Sequence, residues 1–153
     1  MDSQSLAEYL ESSLLSKIPL VKAMGIRVAG YDGSTLVLRA PLWLNVNDKG
    51  TAFGGSLYSL AVLAGWGLLS IKLREEKLAG DVVIHESSVN YRLPVTGELE
   101  AKCSIPGEAE YSRFVDGFRA AGKGRIALEV RIMKDSRAAV KFAGNYVAYA
   151  TEK

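Results

Sequence analysis

Histidine and cysteine are nearly missing from this chain of 153 residues: each occurs once, as His85 and Cys103. A single cysteine excludes an internal disulfide and any metal cluster built on thiolates. A His-based metal site or a Ser-His-Asp triad would have to be built on His85 alone, so no metal and no cofactor is expected. Excess charge is missing as well. The formal net charge is +2, too weak to argue for nucleic acid, and Lys and Arg read as scattered rather than striped. The opening residues, MDSQSLAEYLESS, carry acids and no apolar run behind a basic start, which is not the pattern of a signal peptide. Cytoplasm is the expected compartment. No internal repeat, linker or low-complexity tract appears. With 48% hydrophobic and 24% charged residues, the chain reads as one soluble globular domain, 1–153, with a helical extension over 1–20.

What the sequence does have is one uncharged stretch, Thr51 to Ile71 (TAFGGSLYSLAVLAGWGLLSI), opening with Gly54-Gly55. Asn45, Asn47, Asp48 and Lys49 crowd the positions just before it. The layout predicts a buried helix whose N-terminus emerges from a polar loop. Free N–H groups and the positive end of the helix dipole would there favour a developing negative charge, which suits the polarising of a carbonyl. The stretch is also long enough to cross a membrane. Its strongly apolar part, however, shrinks to Leu57–Leu69, too short for a span, so no membrane is expected. A helix apolar on all sides must then be wrapped by something.

Around it the chain changes period. Leu6, Tyr9, Leu10 and Leu14 predict an amphipathic helix over 4–15, capped by Ser3 or Ser5 and ended by Pro19. Residues 26–40 read as a hairpin about the turn Tyr31-Asp32-Gly33-Ser34. After Gly80 come strands over 81–93, 97–105, 125–134 and 138–150, the last apolar at Val140, Phe142, Tyr146 and Tyr149. A helix is predicted over 108–121, with Gly117 as a weak point. Strands follow the long helix without regular alternation, which favours an antiparallel α+β sheet curled around it.

The run Asn47-Asp48-Lys49-Gly50-Thr51-Ala52-Phe53-Gly54-Gly55 resembles the pre-helix motif of hotdog-fold thioesterases, where an Asn, then a Gly, then His-Gly-Gly open the central helix. Tyr91-Arg92-Leu93-Pro94-Val95-Thr96-Gly97-Glu98-Leu99 resembles their strand-turn-strand. The GTAFGGS run continuing to Gly65-Trp66 is most similar to the subgroup fused behind acetyltransferase-like domains. The resemblance covers about residues 20–150. It implies a hotdog fold, a curved antiparallel sheet wrapped around one long central helix. It also implies hydrolysis of acyl-CoA or acyl-carrier-protein thioesters by a homodimer or dimer of dimers. Two positions depart from the pattern: Phe53 stands where the family's His precedes Gly-Gly, and Val62 where the better-known subgroup has a helix carboxylate.

Thioester hydrolysis needs a polarised carbonyl and an oriented water. The N–H groups of Gly55 and Ser56 are candidates for the carbonyl oxygen, since glycine admits an acyl group close to the backbone. Asn47 could orient the water and Asp48 act as a base. His85 and Glu86, on alternating faces of the strand after the helix, are the remaining acid/base candidates, with His85 expected on the buried face beside Val83, Val89 and Tyr91. Asn45, Phe53, Gly54 and Tyr58 are the substrate-binding candidates. Plainer roles stand beside these. Gly54-Gly55 would permit tight packing, Asn47 would bond its own turn, Asp48 would pair with Lys49 in solvent, Ser56 would cap the helix and His85 would pack. Gly65, Gly67 and Trp66 suggest packing or room for an acyl tail, and Cys103 an inert core thiol. Two rivals share the fold: a non-catalytic acyl-thioester binding module, favoured by Phe53 and Val62, and a dehydratase or hydratase.

Overall fold

The computed structural model describes residues 1–151. Helix α1 (Ser3–Lys17) buries Leu6, Leu10 and Leu14, one residue per turn on one face. Its cap is Asp2, whose carboxylate accepts the Ser5 N–H at 2.7 Å, not Ser3 or Ser5. Pro19 opens a further helix, α2 (Pro19–Met24). Its fixed φ is as suitable for a helix start as for a stop.

Strands β1 (Arg27–Tyr31) and β2 (Thr35–Ala40) form the expected hairpin. Asp32 holds the turn by accepting the N–H groups of Ser34 and Thr35 at 2.9 and 2.8 Å. A single 3-10 turn, Leu42–Leu44, leads into the loop before α3 (Gly54–Glu75). Then follow β3 (Gly80–Tyr91), β4 (Leu99–Ser104), α4 (Glu108–Ala121), β5 (Lys123–Lys134) and β6 (Arg137–Ala150). The weak point inside α4 has a packing reason. A Cβ at Gly117 would lie 3.1 Å from the Lys123 carbonyl, so the glycine lets helix and strand approach.

All six strands are antiparallel in one sheet of order β1-β2-β4-β5-β6-β3. Period-2 alternation puts Leu36, Leu38, Leu99, Ala101, Cys103, Leu128, Val130, Ile132, Val140 and Phe142 on the inner face, all buried. That face wraps α3. Of Leu57–Leu69, only Tyr58, Ser59, Val62 and Trp66 keep partial exposure. Although α3 is long and apolar enough to cross a membrane, 61% of its most apolar window is buried in this sheet. Gly65 and Gly67 are explained by packing: a Cβ on Gly65 would strike the Tyr146 ring, and one on Gly67 would lie 3.0 Å from Leu10 and Leu36. They leave no room for an acyl tail.

Three expectations need correction. Tyr149 faces outward and is exposed, because the inner phase of β6 runs through Val140, Phe142, Gly144, Tyr146 and Ala148. In β3 a bulge intervenes: Ile84 opposes Tyr146 and Glu86 opposes Asn145, leaving His85 unpaired. The bulge breaks the alternation, so His85 and Glu86 do not fall on opposite faces. Both are exposed, and Val83 beside them is 44% exposed rather than buried. Finally, the cations are not scattered in space. Lys102 stands opposite Arg131, and Arg131 opposite Lys141, across three neighbouring strands on the outer face.

Candidate functional site

The N-terminus of α3 is open. Phe53 is the N-cap residue and offers no side-chain cap, so the helix starts with unpaired donors. Leu57 N–H reaches back to Phe53 O at 3.0 Å. The N–H groups of Gly54, Gly55 and Ser56 have no acceptor among the described residues. Ser56 therefore does not act as the cap. Three parallel donors at the positive end of a 22-residue helix make a site for an oxyanion.

The loop before it is stapled in place. Ala52 N–H donates to Val95 O at 2.8 Å, and Phe53 N–H to Asn45 O at 2.7 Å. Asn45 is 2% exposed and spends its amide N–H groups on Met24 O (2.9 Å) and Pro41 O (2.8 Å). Its Oδ1 is buried and has no donor among the described residues. Asn47 is occupied with its own turn. Its Oδ1 accepts the N–H groups of Lys49 (2.8 Å) and Thr51 (3.1 Å), and its Nδ2 donates to Thr51 Oγ1 at 2.8 Å. This Asx turn leaves the amide holding the loop rather than aimed at a ligand. Asp48 is 82% exposed and pairs with Lys49 at 3.2 Å.

Two hydroxyls that were not among the site candidates, those of Ser87 and Tyr91, sit over the same helix end. Beyond the bulge the inner phase of β3 shifts to odd residues, which turns Ser87 toward α3, where its hydroxyl is paired with the Tyr58 hydroxyl. Tyr91 donates to Gly54 O at 2.9 Å. Burial and then the neighbouring Tyr58 push its phenol above the usual range, so it stays a donor at neutral pH. Alternation through Val89 and Tyr91 already places this odd phase inside, but the pairing of Ser87 with Tyr58 and of Tyr91 with Gly54 depends on the fold. The structure thus brings Phe53, Gly54, Gly55, Ser56 and Tyr58 together with Ser87 and Tyr91. It leaves His85 and Glu86 on the outer side, beside Arg125 and Asn145. Val62 offers only its carbonyl, which accepts the Tyr146 hydroxyl at 2.8 Å. Trp66 donates to Val82 O at 2.9 Å, a packing role. No set of three His, Cys, Asp or Glu side chains is placed to hold a metal among the described residues.

Chemically, this is a helix end whose free N–H groups could stabilise a developing negative charge, lined by hydroxyls and with no carboxylate or imidazole among the residues gathered there. Known proteins carry the same architecture. A protein of unknown function from Chlorobaculum tepidum is 39% identical and superposes with a TM-score of 0.94, each chain covering 97% of the other. A putative thioesterase from Shewanella oneidensis is 28% identical with a TM-score of 0.88, over 97% of this chain and 99% of that one. A thioesterase from Haemophilus influenzae, 16% identical with a TM-score of 0.73 over 96% and 92% of the two chains, shares the fold. The family described as "Putative thioesterase (yiiD_Cterm)" matches residues 7–150. The chain belongs to this YiiD_C family, within the hotdog-fold thioesterase superfamily.

Proposed function

We propose that the protein hydrolyses acyl thioesters carried on coenzyme A or acyl carrier protein. The observation that carries this reading is the open helix end, with the N–H groups of Gly54, Gly55 and Ser56 unpaired beneath the exposed ring of Phe53. A thioester carbonyl seated there would pass its developing negative charge to donors already oriented. Water adds to the carbonyl carbon, the C–S bond breaks, and the thiolate leaves with the proton the water gives up. The Tyr58–Ser87 hydroxyl pair is within the same corner and suits the holding of that water. With Phe53 and Val62 in place of the family's His and carboxylate, turnover is slow and depends on this preorganised backbone.

Assembly follows from the same reading. β3 is an edge strand of 12 residues with Val83 and Tyr91 exposed, a template for a second copy. Trp43, Leu44, Val46 and Phe53 are exposed nearby in sequence to the helix end. A homodimer, or a dimer of dimers, would cover them and wall the site. The compartment is the cytoplasm. Light scattering at micromolar concentration tests the assembly, and a monomer refutes it. Hydrolysis assayed over acyl-CoA chain lengths tests the activity. The missing His and carboxylate favour a second reading, a non-catalytic binding module, and acyl-CoA binding without turnover would select it.

A further inference from the structure

The β5–β6 hairpin, residues 123–150, carries six cations against two carboxylates, in a chain whose total is only +2. None of those six has a carboxylate within 4.0 Å among the described residues, whereas six of the twelve described cations elsewhere, Arg27, Arg39, Lys49, Lys72, Lys102 and Arg119, are paired. Two of them, Arg131 and Lys141, are directly opposite each other. Lys102 of β4 extends the row, with only a 3.8 Å approach to Glu100. Asn90 of β3 continues it on the far side of Lys141. Like charges set opposite one another across a sheet destabilise it. The row is therefore a cost to the fold that an anionic ligand would repay. It borders an open groove of about 780 Å³ lined by the polar Ser88 and Asn145 beside the apolar Ala127 and Ala143. Glu86 and Glu129 also line the groove, and neither pairs with a cation.

We propose that this outer-face row binds the phosphates of the nucleotide end of coenzyme A. The ligand's identity rests on the thioesterase reading above; the anion site itself does not. Neighbouring strands lie about 4.8 Å apart, so the three cations span about 10 Å. That is more than one phosphodiester uses, and it suits a diphosphate and a ribose phosphate bound together. The row ends at Asn90, the residue before Tyr91, whose hydroxyl touches Gly54. An extended pantetheine arm rounding that end of β3 leads from the phosphates to the helix N-terminus. A second copy of the chain is a poor occupant, since a two-fold contact here would bring cation rows together. The acidic surface of a carrier protein is the competing partner.

The test is calorimetric titration of the intact protein with free coenzyme A and with adenosine 3′,5′-bisphosphate, neither of which carries a thioester. Wild type, Arg131→Thr, Lys141→Thr and the remote control Lys22→Thr are compared at low and moderate salt. A charge-assisted hydrogen bond of about 1.5–3 kcal/mol corresponds to roughly ten- to a hundredfold in Kd. Arg131→Thr should weaken both ligands by that factor, and salt should weaken wild type more than the variant. Melting temperatures of the row variants equal to or above that of wild type would show that the fold is intact. Equal Kd values for wild type and Arg131→Thr would overturn the proposal, as would no binding of coenzyme A by wild type. So would row variants that weaken an acyl carrier protein but not coenzyme A. Hydrolysis of a nucleotide-free thioester by wild type reports on the thioesterase reading separately.

Discussion

Gly55→Ala separates function from fold at the helix end. Gly55 is exposed in the first turn of α3 and has an ordinary negative φ. Alanine therefore gains about 1 kcal/mol of helix propensity. The new Cβ meets one obstacle, the Phe53 ring. That side chain is 56% exposed and can swing aside, at about 0.5–1.5 kcal/mol for a strained rotamer. The two effects nearly cancel, so stability should change by less than about 1 kcal/mol. Activity should not be spared. The methyl projects where a thioester must approach the N–H groups, and a displacement of about 1 Å can cost on the order of 100-fold. Thermal unfolding followed by circular dichroism, with kcat/KM on one acyl-CoA, measures both. Phe53→Ala/Gly55→Ala should stay slow, since removing the ring frees the methyl but not the carbonyl's path. A stable Gly55→Ala with wild-type kcat/KM would refute the placement of the oxyanion at this helix end. A variant that unfolds would show the glycine to be a packing requirement.

Asn47→Ala removes the acceptor for two loop N–H groups, and should cost about 1–2 kcal/mol in urea unfolding, with hydrolysis falling alongside the loop's order. His85→Ala, at an exposed bulge, should shift stability by less than about 0.5 kcal/mol and leave turnover within a few-fold of wild type. A large loss of turnover would place the chemistry across an interface that β3 forms. Burial pushes the Cys103 thiol up to about 12, against about 8.5 when unfolded. Only the unfolded chain ionises between these values, so stability should fall as pH rises through that window, at about 1.4 kcal/mol per unit. Urea titrations at pH 8 and 10 should show wild type losing more than Cys103→Ala, and equal losses would contradict the burial.

The elements with a strong local period were legible in the chain. The alternation at Leu99, Ala101 and Cys103 and the helical spacing of Tyr111, Phe114 and Phe118 point to β4 and α4, and the uncharged run Leu57–Leu69 to the burial of α3. Tertiary context decided the rest. A six-residue helix such as α2 has too few turns to display a period, and Pro19 alone reads equally as a stop. The β3 bulge changes the inner phase from even to odd residues, so an unbroken odd alternation places Val89 and Tyr91 correctly and puts Val83 and His85 inside, where Val82 and Ile84 stand. The motif located the helix end through Gly54-Gly55. It could not say that Asn47 would be consumed by its own turn, because that depends on where Lys49 and Thr51 place their N–H groups. The cation row was invisible for a related reason: Lys102, Arg131 and Lys141 meet only through strand register.

The sheet order places β3 against β6, although α4, β4 and β5 are synthesised between them. A ribosome releasing this chain exposes α3 and β3 well before the strand that shields β3 exists. Until residues near 150 emerge, β3 has two open edges and α3 an uncovered apolar surface, the state in which chains aggregate or recruit holding chaperones. Closure of so distant a pairing carries a large loop entropy and makes folding slow for a domain of this size. Nascent chains halted anywhere before β6 should therefore be trapped by chaperones and cleared by proteases, so that the last strand acts as the quality checkpoint of the whole domain.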